Sequence, residues 1–340
     1  MSQHDQRLAD LSAWLEPRLT ELYTRREWGE VPDASLVAAS SDASFRRYFR
    51  WQAADRSLIV MDAPPPQENC RPFVAVAETL AAAGIHVPQI LAADLDRGFL
   101  LLSDLGRQTY LDVIDEHNAE GLFADAIEAL LTMQVNAAPA GLPTYDEALL
   151  RRELQLFPEW YVQRHLGHRF TAAEQALWDS TSRLLIDAAL AQPKVLVHRD
   201  YMPRNLMISQ PNPGVLDFQD AVSGPVTYDI TSLFKDAFIS WPSAQVHAWL
   251  QRYWEQARAR GVPVQDSFDA FHRASDLMGA QRHLKVIGIF ARICHRDGKP
   301  RYLSDVPRFF AYLDEVMSRR PEMADLATLL QGLPRERSTT

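Results

Sequence analysis

The sequence predicts an α+β protein in two lobes: a small β-rich one over residues 1–103 and a large, mostly helical one over residues 104–332, with a disordered tail at residues 333–340. Three observations carry this. Runs rich in aromatic and β-branched residues gather in the first hundred or so positions. Helical periodicity dominates from about residue 120 onward, apart from one short β-rich insert. The chain's 340 residues, 47% of them hydrophobic, suit one large or two moderate cores. The boundary rests on the change of secondary structure, because no repeat or low-complexity linker marks it.

In chain order, Leu8, Leu11, Leu15, Leu19 and Leu22 recur at helical spacing, and Pro17 is expected to kink or restart their helix. Residues 45–52 and 57–61 read as strands joined by the turn "AADR", and "APPP" stops the second. Residues 73–83 form an amphipathic helix with Gly84 at the C′ position. "VPQILAADLDRGFLLLSDLG" supplies two more strands around an Asp-Arg-Gly turn. Residues 120–136, 148–164 and 171–189 are helical. "VLVHRDYMPRNLMI" and "GVLDFQDA" make the β-rich insert, and helices resume from Thr227.

Composition excludes several classes. With 35 Lys and Arg against 44 Asp and Glu, the net charge of −9 argues against a nucleic-acid partner. No stretch approaches a membrane span, and the polar N-terminus carries no secretory signal, so no membrane partner and a cytoplasmic location are expected. The two cysteines, Cys70 and Cys294, form no metal-like pair. All four lysines (Lys194, Lys235, Lys285 and Lys299) lie beyond the first half, so any cation there must be arginine or histidine.

His198, Arg199, Asp200 and Asn205 fit H-R-D-x-x-x-x-N, a kinase catalytic-loop pattern, and "VLDFQDA" follows with Asp217 at a strand end. The spacing suits phosphoryl transfer, which needs positioning and charge neutralisation more than covalent chemistry. Asp200 would accept the proton of the acceptor hydroxyl. Asn205 and Asp217 would hold Mg²⁺ against the phosphates of ATP with hard oxygen donors. His198 would brace the loop, and Asp229 would cap its helix and tie the loop down.

Together "VLVHRDYMPRNLMI" and "GVLDFQDAVSGPVTYDITSLFKD" resemble the aminoglycoside phosphotransferase-like family, small-molecule kinases with the protein-kinase fold. "SDASFRRYFRW" and "GIHVPQIL" extend the resemblance over most of the chain. Within the family the similarity is nearest to bacterial kinases of the anomeric hydroxyl of N-acetylmuramate and N-acetylglucosamine in peptidoglycan recycling. It implies ATP and an amino sugar as substrates, and a sugar-1-phosphate nucleotidyltransferase as the next enzyme. Adenine is then expected along "FLLLSDLG", held by backbone groups from Leu101 to Ser103.

The departures matter. The phosphate loop is "SSDAS", without glycine, where Ser41 and Ser44 could face phosphate oxygens or simply turn a hairpin. The lysine of the third strand is missing from "SLIVMDA". Arg46, Arg47 or Arg50 could replace it, with Arg46 and Arg50 on one strand face and Arg47 on the other; analogy with the family favours Arg47. Glu78 is the candidate partner acid. For the acceptor, Arg204, Glu159, Trp160 and Lys235 are candidates, although Trp160 equally suits a core. Another alcohol (an aminoglycoside, a choline-like or a homoserine-like acceptor) and a catalytically dead nucleotide-binding protein stay open as alternatives.

Overall fold

A computed structural model describes residues 3–40, 45–65 and 67–334. Ser41 and Ser44, and residues 335–340 of the expected tail, lie outside the described residues. The chain divides into two compact units: residues 1–110 with 205–220, and residues 111–204 with 221–340.

In the first unit, strands β1 (Ser35–Ser40), β2 (Arg47–Gln52), β3 (Ser57–Asp62), β4 (Ile90–Asp94) and β5 (Phe99–Ser103) make one antiparallel sheet in the order β1-β2-β3-β5-β4. The register sets Arg47 opposite Asp62, Trp51 opposite Leu58 and Val60 opposite Leu101. These residues and Phe99 therefore share one face, and helix α1 (Gln3–Arg25) covers it with Leu11, Trp14, Leu15, Leu19 and Leu22. The helix runs through Pro17 without restarting. Five buried side chains at about 1.5–3 kcal/mol each outweigh the roughly 3 kcal/mol that an interior proline costs. Gly98 turns β4 into β5 at φ 73°, and a Cβ there would lie 1.9 Å from the carbonyl oxygen of Ala63. Helix α2 (Arg71–Ala82) ends as expected before Gly84 at φ 88°.

The expected division after Ser103 is displaced. Residues 104–110 stay with the first unit, and so does the hairpin of β7 (Leu206–Met207) and β8 (Gly214–Val215). Backbone bonding explains this: Ile208 N–H donates to Gln108, Val215 N–H donates to His86, and Thr109 bridges Met207. Phe218 packs on Phe73 of α2 with ring centres 4.8 Å apart.

The second unit begins within α3 (Tyr110–Val113) and is built of α4 (Ala119–Asn136), α5 (Glu147–Leu154), α6 (Ala172–Leu190), α7 (Tyr228–Phe234), α8 (Ser243–Ala259), α9 (Phe268–Asp297), α10 (Val306–Arg319) and α11 (Ala324–Gly332). Strands β6 (Lys194–Val197) and β9 (Val222–Pro225) pair within it. A Thr171–Glu174 capping box starts α6, and Ser267 caps the mostly buried α9. The helix expected over residues 148–164 is interrupted: α5 ends at Leu154, and Phe157–His165 is a π-helix. Close packing accompanies the change. Gly288 of α9 meets the Leu156 backbone so tightly that a Cβ would stand 2.4 Å from its carbonyl carbon. Among the described residues, no helix is long and apolar enough to cross a membrane.

Candidate active site

Strand β6 is buried at Val195, Leu196 and Val197, which anchors the entry to the polar loop. Two backbone N–H groups leaving it, those of His198 and Arg199, donate to the two carboxylate oxygens of Asp229 at 2.7 and 3.0 Å. Asp229 is fully buried, and burial pushes its carboxyl up to about 7 against those two donors. His198 is also buried; its Nδ1 accepts the Asp200 N–H at 3.3 Å, which leaves the ring proton on Nε2. Tyr201 anchors the far side, its hydroxyl donating to the Ala126 carbonyl at 2.8 Å. Asp200 is thus partly exposed on a backbone fastened on both sides.

Arg199 occupies φ 77°, a left-handed conformation that costs a non-glycine residue on the order of 1 kcal/mol or more. Its side chain pairs with buried Glu153 of α5, which also meets Lys285 Nζ at 3.0 Å and the hydroxyl of Tyr145. Burial alone would raise the Glu153 carboxyl, but Lys285 and Arg199 outweigh it and hold the group down at about 2. This buried Glu153–Lys285 pair is absent from the sequence reading. Its members lie 132 positions apart in sequence and match no motif.

Asn205 and Asp217 belong to the first unit. Leu216 N–H donates to the Asn205 carbonyl at 2.9 Å, extending the β7–β8 ladder by one step. That step brings the side chains together, with Asn205 Nδ2 3.4 Å from Asp217 Oδ2. Asp217 is exposed and sits at φ 63°; among the described residues, Glu27 and Arg199 are the other non-glycine residues with positive φ. Gln219 Nε2 donates to its second oxygen at 2.8 Å. The donor set is one carboxylate and one amide, and no cluster of three metal-ligating side chains is present among the described residues. Such a set fits Mg²⁺ that keeps most of its coordination for water and phosphate.

Three residues expected at the nucleotide have partners within the first unit. Arg47, Leu101 and Ser103 all lie on the face covered by α1. Arg47 Nε donates to Asp62 Oδ2 at 2.9 Å, and Arg7 of α1 holds the other oxygen at 2.7 Å, so Arg47 ties the sheet to the helix. Leu101 is in the core, and the ladders to β3 and β4 engage its strand from both sides. Ser103 exchanges hydrogen bonds with Gln89: its N–H donates at 2.9 Å and its hydroxyl accepts at 2.8 Å. Arg46 lies on the opposite face. It pairs with Glu68 at 3.1 Å and hydrogen-bonds Tyr48. Burial pushes the Tyr48 hydroxyl up to about 12, with Arg46 opposing and Asp217 and Glu68 adding to the rise, so these four groups form one electrostatic cluster. Glu78, the expected partner acid, is exposed.

The acceptor candidates also separate. The guanidinium of Arg204 lies 5.1 Å from the Phe238 ring, and its charge acts on buried Asp236, whose carboxyl burial pushes up to about 6. Asp236 Oδ2 is buried without a hydrogen-bond partner among the described residues. Lys235 lies in a buried cluster around Asp276, 3.9 Å distant. Glu159 is exposed on the π-helix, and Trp160 is half-buried under Arg164. Neither makes a hydrogen bond or ion pair with the Asp200 loop among the described residues.

Known proteins match this chain in sequence and in fold. Residues 35–263 fit the model of the phosphotransferase enzyme family. An N-acetylmuramate/N-acetylglucosamine kinase of Pseudomonas putida is 69% identical over 98% of each chain. Its namesake in Neisseria meningitidis is 44% identical over 96% of each. Among solved structures, a choline/ethanolamine kinase family protein from Mesorhizobium loti has a TM-score of 0.58 at 15% identity, covering 93% of this chain and 99% of its own. An ADP-bound aminoglycoside phosphotransferase gives 0.54 at 14%, covering 87% and 98%; at such identities the likeness is one of fold. The chain belongs to the phosphotransferase enzyme family.

Proposed function

We propose that the protein is an ATP-dependent kinase that phosphorylates the anomeric hydroxyl of N-acetylmuramate and N-acetylglucosamine. The observation that carries phosphoryl transfer is the loop geometry: Asp200 stands on a backbone braced by Asp229 and His198, and Asn205 and Asp217 meet five and seventeen positions later. The amino-sugar acceptor rests on relatives of that name at 69%, 65% and 44% identity over nearly their full lengths.

In this reading Asp200 takes the proton of the acceptor hydroxyl. The sugar oxygen forms a bond to the γ-phosphorus, the bridging bond to ADP breaks, and ADP leaves with the electron pair. Asn205 and Asp217 hold Mg²⁺, which supplies neutralisation of the phosphate charge. Arg46, rather than Arg47, is the phosphate-facing cation, with Glu68 as its partner. Asp200, one residue beyond the strained Arg199, is held in place by Glu153 and Asp229. Arg204 and Asp236 offer an acceptor a cation and a carboxylate. A pocket with a prominent arginine disfavours a polycationic aminoglycoside. The product is a sugar 1-phosphate, which a nucleotidyltransferase would consume, and the ATP requirement fits a cytoplasmic location.

An ADP-release assay with both sugars tests the proposal, with NMR assignment of the phosphorylated carbon. Turnover should depend on the sugar and place phosphate on C1. Asp200→Ala should lose about 10³-fold or more in kcat while still binding nucleotide. Phosphate on another carbon would remove the anomeric assignment, and full activity in the variant would remove the base.

A further inference from the structure

The observations converge on a cavity of about 230 Å³ in the second unit, lined by Lys235, Ser243, Ala244, His247, His272 and Arg319 among others. Its lining includes neither Asp200 nor Arg204. Lys235 is 5% exposed, and its ammonium finds no hydrogen-bond acceptor among the described residues. The nearest carboxylate, Asp276, stands 3.9 Å away and is already committed: Arg319 donates to both of its oxygens, and Arg320 donates to one. A buried ammonium without an acceptor is costly, and burial pulls its proton affinity down.

A second feature opens onto the same space. Helix α8 begins at Ser243 after Pro242, has no side-chain cap and carries no acid in its first turn. Gln245 and Val246 N–H groups share the Pro242 carbonyl, whereas those of Ser243 and Ala244 have no backbone acceptor among the described residues. Orphan donors at the positive end of a helix form an anion-binding arrangement. Ser243, Ala244 and His247 are exposed, so the cavity opens to solvent along this turn, with Lys235 inside.

The charges around it also favour an anion. Lys235, Arg319 and Arg320 face two acids, Asp276 and the more exposed Glu315, which accepts from the Ser243 hydroxyl at 3.2 Å and lies 3.9 Å from Arg319. His272 is neutral near pH 7, because burial pulls its ring down to about 4.

We propose that this cavity binds a small oxyanion, a carboxylate or a phosphate group, through Lys235 and the α8 N-terminus. Two sources share that chemistry: the lactyl carboxylate of N-acetylmuramate, which would rest on the function proposed above, and a separate soluble phosphate or carboxylate.

The test uses the full chain titrated with inorganic phosphate and with acetate, against sodium chloride at matched ionic strength. Both anions should raise Tm saturably, by roughly 2 °C once in about tenfold excess over Kd. Lys235→Met and Ala244→Phe, which fills the mouth and spares every cation, should each abolish the rise; Arg46→Ala should keep it, which excludes the nucleotide site as its origin. No rise beyond chloride, or an undiminished rise in Ala244→Phe, overturns the proposal and leaves the cavity to water. The binding arm stands whether or not the protein phosphorylates sugars. The source is then read from kinetics. A KM for N-acetylmuramate raised about tenfold or more in Ala244→Phe, with N-acetylglucosamine unmoved, identifies the lactyl carboxylate. Unchanged KM values for both sugars identify a separate anion.

Discussion

Arg46 and Arg47 are neighbours in sequence and opposites in the molecule. Arg47 begins β2 on the face under α1, where Asp62 and Arg7 enclose it. Arg46 precedes it on the other face, among Tyr48, Glu68 and Asp217. Two identical charges one residue apart therefore take different work: one fastens a helix to a sheet, and the other stands beside a candidate metal ligand. The alternation of strand side chains makes the assignment, and residue type does not enter into it.

The largest effect that can break this contrast is on catalysis. Arg46→Ala should lower kcat/KM for ATP by about 10²–10³-fold, comparable to removing a preorganised transition-state donor, with Tm little changed. Arg47→Ala should do the reverse: activity within about twofold below the melting range, and a stability loss of about 1–3 kcal/mol, because Arg7 still holds Asp62. Steady-state kinetics and thermal melts on both variants decide the matter, and exchanged phenotypes would return the phosphate to Arg47.

A milder form of the contrast recurs beneath the catalytic loop. Glu153 and Asp229 are both buried acids, but Lys285 and Arg199 meet Glu153 and hold it at about 2, whereas burial leaves Asp229 at about 7. Their pH signatures have opposite signs. The Glu153 contribution is fully present above its unfolded pKa and disappears as pH falls towards 2. The Asp229 contribution is present below its unfolded pKa and is lost as pH rises through about 7. Between about pH 5.5 and about pH 6.5 Asp229 titrates, and Asp236, which burial pushes up to about 6, adds a loss of the same sign, so the wild type should lose on the order of 1–2 kcal/mol with rising pH. Asp229→Asn should remove roughly 1 kcal/mol of that loss and leave the Asp236 part, and an equal slope in the variant would show that the charge sits elsewhere.

How much of this the sequence disclosed follows from the range of each signal. The Asp200 loop, Asn205, Asp217 and Asp229 were legible because their spacing is local and chemical. The two-lobed α+β class was legible because periodicity changes along the chain. Strand β1 escaped notice, since "SLVAAS" carries little aromatic or β-branched signal. The π-helix escaped as well, because five-residue bonding resembles a helix until the close approach of Leu156 to Gly288 is known. The partner of Ser103 was equally hidden: its N–H goes to the Gln89 carbonyl, and Gln89 cannot be seen as that partner from the motif alone. Glu68 lies in a loop with no pattern to single it out, and Lys235 and Asp276, 41 positions apart, share a buried cluster that no motif announces.

The division of the first unit has a consequence for synthesis. Residues 205–220 complete it, yet 94 residues of the other unit, 111–204, are made in between. At about 5–20 residues per second, a ribosome needs roughly 5–20 s to cover that distance. During that interval the nascent sheet lacks the hairpin that bonds to His86 and Gln108, and Phe73 lacks Phe218. A gene fragment ending at Tyr110 would leave the chain in that state permanently, so separate production of this unit calls for residues 205–220 to be supplied with it.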